Sequence, residues 1–399
     1  MTDTSDSVGV STNQPEANAM AVKKTAGTAN RWSSEVAPLL VSSTSERGNS
    51  DEDMRIPPTG VDDALNSGLY SSESESQHLK RTQVRLSVQE FAREDGVVLS
   101  LPGSGNTWER FEVLASWAAD DLSVGRLVEG HSDALAILAE AGTEPVSREA
   151  TYGVWAARSS SGGTSAERVP GGWRLSGTKA FCSGTGVIDR ALITADTPEG
   201  YRIFDISVDD QVARVHEDSW PAVGMANSFS HTLDFNGPII LDEQVVGPPD
   251  FYTNRPGFWF GAVGVAACWF GGAEGLVNSL LHSLSSESSD LANAEVGLAV
   301  AAIETMRAVL RSAAKSIDDD PHDARSEAHL RALIVRQAVH EHSLVVLARV
   351  ASAGGARPLC LDEQQSRRAA DLFVYLSQHH RGPDAATLGQ LARSAHSCN

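Results

Sequence analysis

The sequence predicts an α+β chain built in three ordered parts: a short N-terminal helical domain, a middle β-sandwich or barrel, and a C-terminal helical bundle. Three changes of pattern carry that reading. Apolar residues recur at helical spacing from Val84 to Glu140; the period drops to two between Thr151 and Tyr252, with Gly, Pro and Asp between runs; from Pro256 onward long helical runs alternate with helix-stopping turns. At 399 residues and 41% hydrophobic, the chain is long enough to bury more than one core. The boundaries expected are 1–82 for a tail, 83–149 for the first helical part, 150–253 for the β-domain and 254–399 for the bundle.

The tail is rich in Ser, Thr, Asp and Glu, with clusters such as Ser71 to Ser76, and too poor in apolar periodicity to bury a core. After it, Leu86, Val88, Phe91 and Ala92 mark a short helix. Thr107 is placed to cap a helix running to Ala119, and Leu122 to Ala139 form a third amphipathic run. Strands are expected at Tyr152 to Ala156, Trp173 to Leu175, Lys179 to Ser183, Arg190 to Ala195, Tyr201 to Ser207, Val212 to His216, Thr232 to Phe235 and Ile239 to Val246. Gly171 and Gly172 form a turn, and Gly177 breaks the strand before Lys179. Short strands at this close spacing suit a sandwich or barrel, and no Gly-x-Gly-x-x-Gly or P-loop follows any of them. Bundle helices are expected at Phe258 to Leu284, Leu291 to Ile317, His322 to Ala353, Arg367 to Gln378 and Pro383 to His396, joined by short turns that favour antiparallel packing.

Composition narrows the partners. A formal net charge of −20 opposes nucleic acid and anionic membrane surfaces. Cys182, Cys268, Cys360 and Cys398 are widely spaced and form no Cys-x-x-Cys pair, so neither a metal site nor a disulfide framework is expected, and a reducing cytoplasm is the natural setting. The N-terminus lacks the basic start and apolar run of a secretory signal. The apolar stretch from Gly257 to Ala273 is shorter than the ~20 residues that span a bilayer, and reads as a buried bundle helix.

The run from Gly177 to Ser183 offers an aromatic wall, a hydroxyl and adjacent backbone N–H groups, which suits a flat and partly polar ring. Its residues Gly177, Lys179, Phe181 and Ser183 match a Gly-x-Lys-x-aromatic-x-hydroxyl pattern. With Tyr152 to Trp155 before it, and Trp220 to Phe235 (Gly224, Met225, Ser228) after it, the chain resembles the acyl-CoA dehydrogenase superfamily from about Thr107 to Gln390. That resemblance implies a flavin cofactor, FAD first with FMN as the alternative, contacted by Val154, Trp155, Phe181, Cys182 and Ser183. It also implies a Gly354–Gly355 turn that serves the cofactor of a neighbouring subunit in a homodimer or homotetramer, although a simple helix cap explains those glycines as well.

Two departures from the family matter. The carboxylate expected late in the bundle is absent from the stretch Tyr375 to Gly382, and the alternative position near Phe260 to Ala262 has none either. The Arg that the family directs at the flavin pyrophosphate is replaced by the acidic run Ser285 to Asp290, leaving Arg331 or Arg336 to compensate. His380 and His379 then become the local candidates for proton handling, because imidazole titrates near neutrality, against a plain helix-end role. His131 and Asp133 are further pocket candidates, Asp133 reading equally as a cap, while Glu274 reads as structural.

Three functional classes stay open. One is α,β-oxidation of an acyl thioester, or of another small molecule, with electrons passed to an electron-transfer flavoprotein. The second is a two-component monooxygenase fed by a flavin reductase. The third is a non-catalytic binding or scaffold relative.

Overall fold

The computed structural model describes residues 75–93, 99–158, 163–209, 212–284 and 288–397. All of them belong to one unit, Pro57–Asn399. The Ser- and acid-rich tail up to residue 74, and Ser285 to Glu287 of the acidic run, lie outside the described residues.

Helix α1 (Glu75–Arg93) starts ahead of the expected boundary at 82 and is far longer than the short helix expected, because Arg81, Val84, Val88 and Phe91 line one buried stripe. Helices α2 (Thr107–Asp120) and α3 (Leu122–Glu140) follow. Thr107 is the first helical residue rather than the cap; its hydroxyl donates to Asp318 at 2.6 Å and so ties α2 to the bundle. Asp121 caps α3 by accepting from the Ser123 and Val124 N–H groups. One face of α3 packs Ala134, Ile137 and Leu138 on the sheet, while Val124, Leu127 and Val128 belong to the bundle core.

Eight strands form one mixed sheet: β1 (Tyr152–Trp155), β2 (Thr164–Val169), β3 (Gly172–Cys182), β4 (Arg190–Thr197), β5 (Gly200–Ser207), β6 (Arg214–His216), β7 (His231–Ile240) and β8 (Val245–Val246). The order is β6-β7-β3-β2-β4-β5-β8, with β1 parallel to β4. Strand β2 was not expected. It pairs antiparallel with β3 through a turn at Pro170 and Gly171, one residue earlier than the sequence suggested. Gly177 bends β3 rather than ending it: at φ 103° it passes so close to the Gly163 carbonyl that a Cβ would collide, and β3 continues to Cys182. The expected strand from Ile239 to Val246 is split between the end of β7 and β8 by a 3-10 turn at Asp242–Gln244.

A short helix, α4 (Phe251–Asn254), leads into α5 (Gly257–Ser283), α6 (Asp290–Asp319), α7 (Ala328–Gly354), α8 (Ala356–Leu361), α9 (Glu363–Leu376) and α10 (Arg381–Ser397). Helix α5 falls within one residue of the expected Phe258 to Leu284 at either end. By length and composition it could cross a membrane, but 78% of its most apolar window is buried inside the protein, against α2, α3, α6, α7 and α9. Its glycines make that packing close. A Cβ on Gly271 would strike the Ala115 carbonyl of α2, so the two backbones meet without side chains between them.

Candidate functional site

Strand β3 ends in a constrained turn. Phe181 sits at φ 60°, a left-handed conformation costly for an aromatic residue, and its ring stays 62% exposed with Trp220 edge-on at 6.4 Å. Cys182 points the other way, into the sheet core, and burial raises its thiol well above the usual range. Its side chain therefore does not face the surface that Phe181 presents. Ser183 is buried. The sequence suggested free N–H groups here, but the turn consumes them: Ser183 N–H donates to the Phe181 carbonyl at 2.9 Å, Gly184 to Ser228 at 2.8 Å and Thr185 to Phe229 at 3.2 Å. What remains for a ligand is the aromatic wall and the Ser183 hydroxyl.

That hydroxyl opens a hydrogen-bonded chain. Ser183 Oγ lies 2.8 Å from Ser230 Oγ, which lies 2.8 Å from Ser228 Oγ, whose hydroxyl donates to the Met225 carbonyl at 2.7 Å. Met225 and Phe229 are also left-handed, so two strained turns hold each other in register. Trp155 supports the arrangement from behind. Its ring is buried in the sheet core while its Nε1–H donates to the Ser183 carbonyl at 3.0 Å. Val154 is half-buried against the α3 side of the sheet. Trp155 and Val154 thus position the turn rather than face its exposed wall.

Met225 joins the turn to the bundle. Its N–H donates to Asp371 Oδ1 of α9 at 2.5 Å, its carbonyl accepts from Trp220 Nε1 at 3.0 Å, and its sulfur lies 3.9 Å from Ser123 Oγ of α3. Gly224 packs directly on the Ala370 carbonyl. Burial raises the Asp371 carboxyl to about 6, against the opposing bond from Met225. The sequence placed no carboxylate in this part of α9 near the site; Asp371, one turn before Tyr375, went unnoticed because it lies outside the expected motif position.

Beyond Asp371 the bundle interior is aromatic and cationic. Trp269 of α5 has the Tyr375 ring at 6.2 Å, His379 at 5.9 Å and His340 at 6.4 Å, and the Arg336 guanidinium carbon sits 4.6 Å above its ring. His379 is buried, with Nε2 2.9 Å from Gln337 Oε1, Nδ1 3.3 Å from Asp384 and its ring 4.9 Å from that of His340. Burial lowers its pKa to about 4, with Arg336 and His340 adding to the effect, so the imidazole is neutral at neutral pH. His380 is exposed at the start of α10, so the two histidines separate into an interior and a surface residue.

Arg336 turns inward. Its Nη1 donates to the Ala262 carbonyl at 3.1 Å, and its guanidinium lies over Trp269. Gly354 ends α7 and Gly355, at φ 62°, caps it; along the helix they lie about 20 Å from His340. Within one chain those glycines are not part of the His379 cluster. Asp133 is not a cap: it sits inside α3 and pairs with Arg255 at 3.3 Å, while Arg255 also reaches Glu140 at 3.0 Å. His131 is structural, accepting the Tyr152 N–H at 3.1 Å, and burial lowers its pKa to about 4. Glu274 pairs with Arg307 at 2.5 Å.

The same face of α3 carries a charged pair that the sequence reading did not single out. Arg126 Nη1 bonds Glu129 Oε2 at 2.8 Å, and Cys268 Sγ of α5 lies 3.9 Å from the Gly125 carbonyl beside it. Burial pushes Glu129 up from the ordinary carboxylate range although Arg126 opposes it. An Arg three residues before a Glu reads as an ordinary surface pair, and nothing local distinguishes it from one.

The order of helical domain, mixed sheet and helical bundle is an acyl-CoA dehydrogenase-like fold. No protein-family model matches the chain, and no curated protein matches it in sequence. Solved structures do. The dibenzothiophene monooxygenase TdsC from Paenibacillus sp. A11-2, in a complex with FMN and indole, aligns with a TM-score of 0.64 at 18% identity over 78% of this chain and 94% of that one. KijD3 in complex with FMN and a dTDP-linked amino sugar aligns at 0.63 and 16% identity, over 84% and 97%. Methanesulfinate monooxygenase MsuC from Pseudomonas fluorescens aligns at 0.62 and 17% identity, over 80% and 97%.

Proposed function

We propose that this protein is a flavin-dependent monooxygenase that takes reduced FMN from a separate flavin reductase and acts on a small molecule. One observation carries the reading: where the resemblance calls for a dehydrogenase base late in the bundle, the chain holds a neutral, buried imidazole, His379, among Trp269, His340 and Arg336. The carboxylate that would take a proton alpha to a thioester is missing from this stretch, and the imidazole that stands there is already held by Gln337 and Asp384. The FMN-bound neighbours of the same fold support the choice of FMN over FAD.

The residues at the turn suit a flavin. Phe181 and Trp220 would flank the ring, and the Ser183 hydroxyl, held by Ser230, would bond its polar edge. Bound there, reduced FMN would supply two electrons to oxygen and the substrate would supply two more, one oxygen atom entering the substrate and the other leaving as water. His379 is held by Gln337 and stays uncharged, so it can accept a proton without first losing one. A homodimer or homotetramer belongs to the same reading, with Gly354 and Gly355 serving a neighbouring subunit, in the cytoplasm.

A panel of acyl-CoA thioesters with an artificial electron acceptor separates the readings. The proposal predicts no acceptor reduction above background with the FMN-loaded protein. Turnover with any thioester returns it to the dehydrogenases.

A further inference from the structure

We propose that the polar interior between α3, α5 and α9 forms an oxyanion subsite, with Arg126 and Tyr375 as the residues that hold an anionic group of the substrate. The inference deepens the monooxygenase reading, because it takes this interior as part of the substrate site.

Helices α3 and α9 run alongside one another in the same direction, as a ladder of contacts shows. Asp121 meets Arg367 at 3.2 Å, Ser123 and Asp371 meet through Met225, and Leu122 and Leu372 both crowd Gly272 of α5. One turn further along, Arg126 and Tyr375 come opposite each other. Helix α5 forms the floor there: Cys268 lies against Gly125, and Trp269 meets the Tyr375 ring edge-on. The Met225 bridge lies on one side of this pair, and the His379 cluster lies on the other side of Trp269.

Three polar atoms in this lining have no protein partner. Tyr375 Oη and Trp269 Nε1 belong to side chains with no exposed surface, and His340 Nδ1 belongs to a buried one. Two of these are hydrogen-bond donors by default, and a buried donor left without an acceptor is costly. Charge points the same way. Arg126 and Arg336 face this interior, whereas Glu129 alone faces them from α3, and burial disfavours its ionised form. Asp133 is taken up by Arg255, and Asp384 lies beside His379. The wall thus has an excess of cation and of donors, and a compact carboxylate or sulfinate would satisfy both. A purely apolar acyl chain would leave them unpaired.

The test uses the full chain without flavin and reads binding by calorimetry, so its outcome does not depend on flavin binding. The probes are benzoate, benzenesulfinate and the neutral benzamide. The proposal predicts that both anions bind at least about tenfold more tightly than benzamide, and that Tyr375→Phe weakens the anions about three- to tenfold while leaving benzamide unchanged. Tyr375→Phe removes only an unpaired hydroxyl, so the fold should be as stable as before. The double variant Arg126→Met/Glu129→Leu removes the pair without leaving a buried charge, and should abolish the preference for anions. Equal binding of benzoate and benzamide, or anion binding unaffected by both variants, overturns the subsite; flavin binding with no anion preference would leave the monooxygenase reading standing and remove this one.

Discussion

The Ser183 hydroxyl oxygen lies 2.8 Å from that of Ser230, and through Ser228 and Met225 the same chain reaches Asp371 in the bundle. The β-domain turn and helix α9 are therefore coupled by hydrogen bonds rather than by apolar packing alone. A change at either end should be felt at the other, and the turn's strained residues make it a preformed surface rather than an adaptable loop.

Ser183→Ala keeps the bond between Ser228 and Ser230 and removes only the terminal hydroxyl. Stability should change by no more than about 1 kcal/mol, while affinity for reduced FMN falls about tenfold. Thermal denaturation and a flavin titration read the two effects separately, and an unchanged flavin affinity would take Ser183 out of the site.

Phe181→Gly should separate strain from function. Glycine tolerates the left-handed backbone at this position, and the ring it removes is mostly exposed, so the melting temperature should hold or rise. Flavin retention should drop by about tenfold or more because the aromatic wall is gone. A variant that melts much earlier would show that the ring is structural.

Gly224→Ala tests the contact between turn and bundle. A Cβ there would collide with the Ala370 carbonyl, so the Met225 turn must move off α9. A loss of about 2 kcal/mol or more in stability, together with weaker flavin binding, is expected from chemical denaturation. Wild-type stability would mean that the turn does not rest on α9.

Stability should fall on mild acidification. His131 and His379 have folded pKa values lowered to about 4 from an ordinary 6.5, so their neutral forms are favoured by the fold. Their contribution is complete above pH 6.5 and is lost as pH drops toward 4. Asp371 acts oppositely: its pKa is raised from 3.8 to about 6, so its contribution is complete below 3.8 and lost as pH rises through 6. In urea unfolding, His131→Asn should flatten the decline between pH 6.5 and 4, and Asp371→Asn should steepen it. No difference between either variant and wild type would contradict the burial of these groups.

The order of helices, sheet and bundle was legible because each has its own period, and the Gly177 to Ser183 run was legible as a motif. Strand β2 escaped because its alternation, Thr164, Ala166 and Arg168 against Ser165, Glu167 and Val169, contains too few apolar residues to mark a buried face. The candidate site was legible only in part. His379 and His380 stand out by elimination, but the burial of the one and the exposure of the other depend on where α9 ends. Glu129, Arg126 and Asp371 could not be singled out, because a charged residue on a helix looks solvated until the neighbouring helices are placed around it. Spacing along α7 does not reveal that the Arg336 guanidinium lies over Trp269.

The most direct test of the central claim is an anaerobic titration of the protein with reduced and oxidised FMN, followed by mixing the reduced complex with oxygen and timing the return of flavin absorbance. The account predicts that reduced FMN binds at least about tenfold more tightly than oxidised FMN, and that reoxidation in the complex is slower than for free reduced FMN. Failure of both flavin forms to bind at millimolar concentration would contradict it and leave the fold serving as a scaffold.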